Sequence, residues 1–388
     1  MNVPGVTLQV DTPEALAELC RRLDGCDWLA LDTEFHREKT YYPQFCLLQL
    51  ATPELVAWVD PLTVPDLGPL LELLNGEQIV KVFHAARQDL EIFYHLTGRV
   101  PAPVFDTQVA APLLGHPDQA GYGALVSAVL GVNLSKGHAR ADWTRRPLPA
   151  KQLEYALDDV RYLARLYPQL RDELQQRGRL QWLAEDFAAL VDPAQYENPP
   201  ASAWRRIRGT DRLRAAQLAV LQKLAAWREQ SAQQENRPRN WLVRDDALLD
   251  IARQMPASRK DLEHMRGLNE RLVRRYGDTL LTLIAEARTA KPEPLPAGGS
   301  PVRLDHGQEA LVDALTAVVR LRAAEQQLNP SVLASRKDLE RLAAGQRDLA
   351  LLRGWKKALI GEDLCAMIEG GMGLEVKDGR LAITRPGS

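Results

Sequence analysis

The chain has 388 residues, 45% of them hydrophobic and 26% charged, with a net charge of −2. That length suffices for two or three domains with real cores, and no run of about 18 apolar residues is present to cross a membrane. No basic stretch followed by an apolar one opens the chain, and Cys20, Cys26, Cys46 and Cys365 form no CxxC pair and have no histidine at zinc-ligand spacing. A reduced cytoplasmic protein without a secretory signal or zinc centre is therefore expected.

Residues 6–10 read as a first strand, and Thr12-Pro13-Glu14 opens a helix with Thr as its cap and Pro at its first position. The stretch Trp28–Phe35 reads as a buried strand. Cys46–Ala51 and Leu55–Val59 are two more strands, joined as a hairpin at Thr52-Pro53-Glu54. A helix over Leu67–Leu74 leads to strand Ile79–Phe83, then a helix from Ala85 to His95. Val104-Phe105 is a short strand, Asp106 can cap the helix that runs to Leu114, a small helix spans about Tyr122–Leu130, and a long amphipathic one runs from Pro149 to about Arg177. Strands followed by strands alternating with helices give an α/β domain with a mixed sheet.

A linker is expected near Asp192–Pro200, and a second one, rich in Pro and Gly, over 291–303. Between and beyond them the sequence predicts helical units at 204–290 and 304–372 and a tail at 373–388, after a first domain over 1–197. At an offset of 91 residues Leu242, Leu248, Ile251 and Ala252 match Leu333, Leu339, Leu342 and Ala343, which predicts two copies of one helical unit. Charge is unevenly shared. Residues 1–200 hold 17 Lys/Arg against 27 Asp/Glu, residues 201–291 hold 19 against 11, and residues 292–388 balance at 13 against 13. An acidic first half tethered to a basic middle suggests a metal-binding part joined to an anion-binding part.

The acids carry the chemistry. Asp32 and Glu34 are two apart at the end of an apolar strand and so leave the same face. Asp89 lies in the first turns of a helix that leaves a strand, and Tyr155 and Asp159 are four apart on one helix face. Each has a plainer reading alone: a turn cap, a helix-dipole partner, a core tyrosine beside a surface acid.

In their order and spacing, Asp32, Glu34, Asp89 and Asp159 resemble the three motifs of the DEDD family of 3′–5′ exonucleases, and Tyr155 marks the subgroup that uses tyrosine. Phe105-Asp106-Thr107-Gln108, the stretch Asp142-Trp143-Thr144-Arg145-Arg146-Pro147-Leu148 and the two helical units, which resemble HRDC domains, narrow the similarity to the ribonuclease D family, over roughly residues 5–370. The resemblance implies a ribonuclease H-like mixed sheet with flanking helices plus two all-α HRDC-like domains, the second more divergent. It also implies a monomeric exoribonuclease that trims 3′ ends of structured RNA, tRNA precursors above all, releasing nucleoside 5′-monophosphates by two-metal hydrolysis.

By the same resemblance Asp32, Glu34 and Asp159 hold the ion that activates water, Asp32 bridges to a second ion with Asp89 in its outer shell, and Tyr155 orients the water with Glu34 as partner. A carboxylate cluster suits Mg²⁺ or Mn²⁺. A phenol with a pKa of ~10 is a poor base near neutral pH, so the deprotonation falls to the metal site. Asp158, turned about 100° from Asp159 on the helix, is expected to be structural. His84 is a substrate contact or a core histidine, and Arg146 a phosphate ligand or a loop-anchoring salt bridge. Lys136 has the same two readings. Arg205, Arg206, Arg237, Arg239, Arg271, Arg274 and Arg275 suggest a phosphate-tracking face, with Trp227 and Trp241 in the helical core. Competing expectations are a DNA exonuclease and a nucleic-acid scaffold with a dead site.

Overall fold

The computed structural model describes residues 6–135, 137, 141–295 and 303–385. The sheet comprises β1 (Val6–Val10), β2 (Trp28–His36), β3 (Gln44–Ala51), β4 (Leu55–Val59), β5 (Val80–Phe83) and β6 (Val104–Asp106) in the order β1-β4-β3-β2-β5-β6. β1 runs parallel to β4, β3 antiparallel to β4, and β2, β5 and β6 run parallel in register Ala30↔Val82 and Phe83↔Asp106. β2 lies between β3 and β5, and its run Leu29-Ala30-Leu31 is fully buried. A strand covered on both faces needs a continuous apolar run rather than an alternating one.

Helices α1 (Pro13–Leu23), α2 (Gly68–Asn75), α3 (Arg87–Thr97), α4 (Thr107–Ala110), α5 (Tyr122–Leu130), α6 (Ala150–Gln176) and α7 (Ala184–Leu190) belong to the same body. Thr12 caps α1 by accepting from the Ala15 amide at 3.2 Å, as the sequence indicates. The helix expected from Ala85 starts two residues later. Ala85 sits at φ +63°, a left-handed conformation outside a right-handed helix, and the Asp106 carboxylate accepts the Ala85 and Ala86 amides at 3.0 and 2.9 Å. Asp106 also caps α4 through the Gln108 amide at 2.8 Å.

Lys81, inside β5, is fully buried. Its ammonium donates to the carbonyls of Gly76 (2.7 Å), Ile79 (2.7 Å) and Ala102 (2.5 Å), which compensates a buried charge that burial otherwise pushes down to a pKa of about 8.

The chain forms two compact units. One joins Met1–Glu34 and Leu47–Gln195 with Ser300–Ser388; the other joins Phe35–Cys46 with Tyr196–Gly299. In the second, α8 (Ala215–Gln234), α9 (Arg239–Leu242), α10 (Asp245–Gln254), α11 (Arg259–Glu263) and α12 (Glu270–Ala287) enclose Leu221, Leu224, Leu248, Ile251 and Ile284. Trp204 is buried there and Trp227 packs against the core, but Trp241, expected in the core, is 54% exposed. Leu242 takes the inward position at 3% exposure, and on so short a helix its neighbour faces outward.

The last helices are α13 (His306–Glu325), α14 (Pro330–Leu333), α15 (Arg336–Ala343), α16 (Gly354–Lys356) and α17 (Glu362–Ile368), followed by the hairpin β7 (Gly373–Lys377) and β8 (Arg380–Thr384). α13, α14 and α15 begin 91 residues after α8, α9 and α10, and both turns after the first helix hold a non-glycine residue in the left-handed region, Asn236 at φ +46° and Gln327 at φ +51°. Beyond that the copies part: where the first has the regular 18-residue α12, the second has a helical run over 354–368 interrupted by a π-type turn at Lys357–Gly361, between α16 and α17.

Candidate active site

Alternation along β2 sends Asp32 and Glu34 to one face, and α6 supplies Asp159 beside them. One oxygen from each of Asp32, Glu34 and Asp159 lies within 4.8 Å of the others. Asp89, in the first turn of α3, is only 7% exposed, and its Oδ1 accepts from the Thr33 amide at 3.1 Å and from the Thr33 hydroxyl at 2.5 Å. Thr33, the residue between the two strand acids, thereby ties the second acidic segment to the strand. Tyr155 stands four residues before Asp159 and lines the same open cleft of about 810 Å³ with Asp32, His84 and Tyr122.

Electrostatics show what the cluster lacks when nothing cationic is bound. Burial, then the charges of Asp32, Asp159 and Asp89, pushes the Glu34 carboxyl up to about 10. Burial first and the Asp158 charge second bring Asp159 to about 7. Burial and Asp159 hold Asp32 well above the usual carboxylate range. Asp89 is raised by burial and by Asp32, against the opposing Thr33 hydrogen bonds. Buried acids that raise one another in this way are deficient in positive charge, and hard oxygen donors at this spacing suit a divalent cation. The donor set fits the metal. Burial and the neighbouring acids push the Tyr155 phenol up to about 12, so it is a hydrogen-bond donor near neutral pH.

Two supports leave little signal in the sequence. The Tyr122 hydroxyl donates to the Asp159 carbonyl and, at 3.3 Å, to that of Asp158, and so holds the turn of α6 that carries the acid. Thr33 is the other; its role depends on Asp89 arriving from 56 residues away. Only the glycines on either side of Tyr122 hint at an unusual site.

The remaining sequence candidates are spread out. His84 lines the cleft, yet both ring nitrogens are engaged: Nδ1 is 2.9 Å from the Thr107 hydroxyl, and Nε2 donates to the Ala120 carbonyl at 3.0 Å. Arg146 forms a two-pronged pair with Asp60, Nε to Oδ2 at 2.5 Å and Nη2 to Oδ1 at 2.7 Å, and its Nη1 donates to the Trp143 and Arg145 carbonyls. That is the loop-anchoring alternative, and Arg146 does not line the cleft. Asp158 pairs with Arg161 at 3.1 Å. Lys136 lies outside the described residues. Among the described residues, no helix is long and apolar enough to cross a membrane.

A 3′–5′ exonuclease family matches residues 8–175, and the HRDC domain family matches residues 217–284. Ribonuclease D of Sphingobium indicum is 42% identical over 378 residues, covering 96% of this chain and 97% of that protein. Ribonuclease D of Zymomonas mobilis is 41% identical over 375 residues, covering 95% and 96%. The crystal structure of Escherichia coli RNase D, described as an exoribonuclease involved in structured RNA processing, superposes with a TM-score of 0.81 at 34% identity, over 95% of this chain and 99% of that one.

Proposed function

This chain belongs to the ribonuclease D family of 3′–5′ exoribonucleases, and on that footing we propose that it trims structured RNA, tRNA precursors above all, releasing nucleoside 5′-monophosphates. The observation that carries the reading is the convergence of Asp32, Glu34 and Asp159 within 4.8 Å on an open cleft beside Tyr155. Asp32, Glu34 and Asp159 would hold divalent metal, Mg²⁺ or Mn²⁺, with Asp89 in support of a second ion. Bound in pairs, such ions supply charge to offset that of the attacking and leaving oxygens.

The chain's own groups do the rest. Tyr155 keeps its proton and donates a hydrogen bond that orients the attacking water, with Glu34 beside it. Tyr122 and Thr33 act through others, one holding the α6 turn and the other fixing Asp89 against β2. His84 would set the wall of the cleft through its hold on Ala120 and place that wall against the terminal nucleotide. Arg146 would shape the loop beside the site rather than grip phosphate. We assign catalysis to residues 1–197, RNA capture to the basic unit 204–290, and place the enzyme in the cytoplasm as a monomer.

The test compares 3′-labelled RNA and DNA incubated with Mg²⁺, with EDTA, and with the Asp32→Ala variant. Stepwise shortening of RNA that needs both metal and Asp32 is expected. Shortening of DNA alone would sink the substrate assignment, and RNA trimming unchanged in Asp32→Ala would sink the site.

A further inference from the structure

The second compact unit displays a cationic patch whose geometry is set from beneath. Glu229 is fully buried and accepts the Tyr41 hydroxyl, with Arg239 at 3.3 Å and Arg206 at 3.6 Å. Glu235 pairs with Arg237 at 3.3 Å and Arg275 at 2.9 Å and accepts the Tyr276 hydroxyl at 2.5 Å. Two carboxylates thus orient four guanidiniums. The acids are 0% and 22% exposed, while the arginine side chains are 38–51% exposed. Two carboxylates under four guanidiniums hold the donor forks in place and still leave the cluster net positive, and residues 201–291 keep an excess of 19 Lys/Arg over 11 Asp/Glu.

An aromatic side chain shares the short helix α9 with Arg239. Trp241 is 54% exposed on a chain whose large aromatics are otherwise covered at least in part. The second helical copy supplies an internal control. There the matching residue, 91 positions on, is Val332, and it lines a small pocket with Pro112 and Leu113 of the catalytic body. The same outward position is thus smaller and half-buried in one copy, larger and open in the other.

We propose that Trp241 and the guanidiniums over Glu229 and Glu235 form a platform for single-stranded RNA, an unpaired base stacking on the indole while flanking phosphates meet Arg275 and Arg239. This rests on the exoribonuclease reading and deepens it: the first helical copy captures unpaired nucleotides of the substrate, not the duplex. Duplex RNA offers its bases stacked and paired, whereas a free strand presents base faces to an aromatic ring and phosphates to a fixed arginine array.

The full chain in EDTA, where no hydrolysis occurs, is titrated into a 5′-fluorescein oligoadenylate of about twelve nucleotides, with anisotropy as the readout. Trp241→Ala should weaken binding about tenfold, and Trp241→Phe should recover most of it. Arg275→Gln should lower the slope of log affinity against log salt by about 0.7 in magnitude. A duplex of the same length should lose little affinity on Trp241→Ala. Equal binding of wild type and Trp241→Ala to the single strand overturns the platform, and so does an equal loss on strand and duplex. Trimming of the same strand by wild type with Mg²⁺ is scored separately. Failure there removes the catalytic reading, whereas trimming with unaltered Trp241→Ala binding removes only the platform.

Discussion

The two helical copies share their first three helices and the left-handed turn between the first two, yet that turn is put to different use in each. In the second copy that turn is a docking edge on the catalytic body. The Asn329 amide donates to the Pro112 carbonyl at 3.0 Å, the Asn329 side chain to the His116 carbonyl at 3.1 Å, and Arg179 bridges the Leu113 and Gln326 carbonyls at 2.7 and 2.6 Å. Trp182 and Trp355 stack at 4.5 Å, their planes 8° apart, and complete the junction. In the first copy the same turn takes hold of the chain that leaves the catalytic strand: Asn236 Oδ1 accepts the Tyr41 and Tyr42 amides, both at 3.0 Å. Position 237 is an arginine paired with Glu235, where the second copy has the buried Leu328. One scaffold thus becomes a neutral buttress or the basic unit proposed to capture RNA, according to a few residues on one edge.

The sharpest test of this division is at the strand. Glu34→Gln should lower the trimming rate about 10³-fold or more while leaving RNA affinity nearly intact, because it removes charge from the proposed metal site and touches neither helical copy. A parallel fall in affinity would mean that the acids, not the basic unit, hold the RNA.

The acid cluster should also give the two copies different pH behaviour. Asp159 and Glu34 bind protons more tightly in the folded chain, at about 7 and about 10, than the unfolded carboxyls do near ~4. Their stabilising contribution is therefore full below about pH 4 and is lost as pH rises through about 7 and then about 10. In EDTA the melting temperature should fall between about pH 5 and pH 9, Mg²⁺ should restore it, and Asp32→Asn should flatten the profile. Hydrogen exchange should show α13 losing protection with the catalytic sheet as pH rises, since they share a compact unit, while α8 keeps its own. Equal loss in α8 would erase the distinction between the copies.

A smaller effect is expected at the docking edge. Trp355→Ala should cost about 2 kcal/mol of stability in thermal or urea unfolding, with RNA affinity unchanged. Trp241→Ala should do the reverse, shifting stability by less than about 0.5 kcal/mol. Smallest of all, Tyr41→Phe removes a hydrogen bond from the buried Glu229 and should lower the stability of the first copy by about 1 kcal/mol, read as faster exchange in α8.

Much of the catalytic body is legible in the residues because its signals are local. An apolar run ending in alternating acids is a strand wherever it lies. Thr12 and Asp106 cap the helices they precede, and a fixed offset of 91 residues shows the repeat before any coordinate does. The order of Asp32, Glu34, Asp89, Tyr155 and Asp159 is likewise a property of the chain alone, and its resemblance to the DEDD motifs points to the exonuclease family that matches residues 8–175.

Tertiary structure decides whatever depends on a partner far along the chain. Arg146 could grip phosphate or anchor a loop until Asp60 arrives 86 residues away. Lys81 can lie inside a strand because the Ala102 carbonyl, 21 residues on, joins those of Gly76 and Ile79 at its ammonium. Thr33 matters only once α3 brings Asp89 against it. Helical spacing places Trp241 beside a core residue but cannot tell which of two neighbours on a four-residue helix turns inward. Spacing fixes the angle between side chains, and only packing against other elements fixes which of those angles is buried.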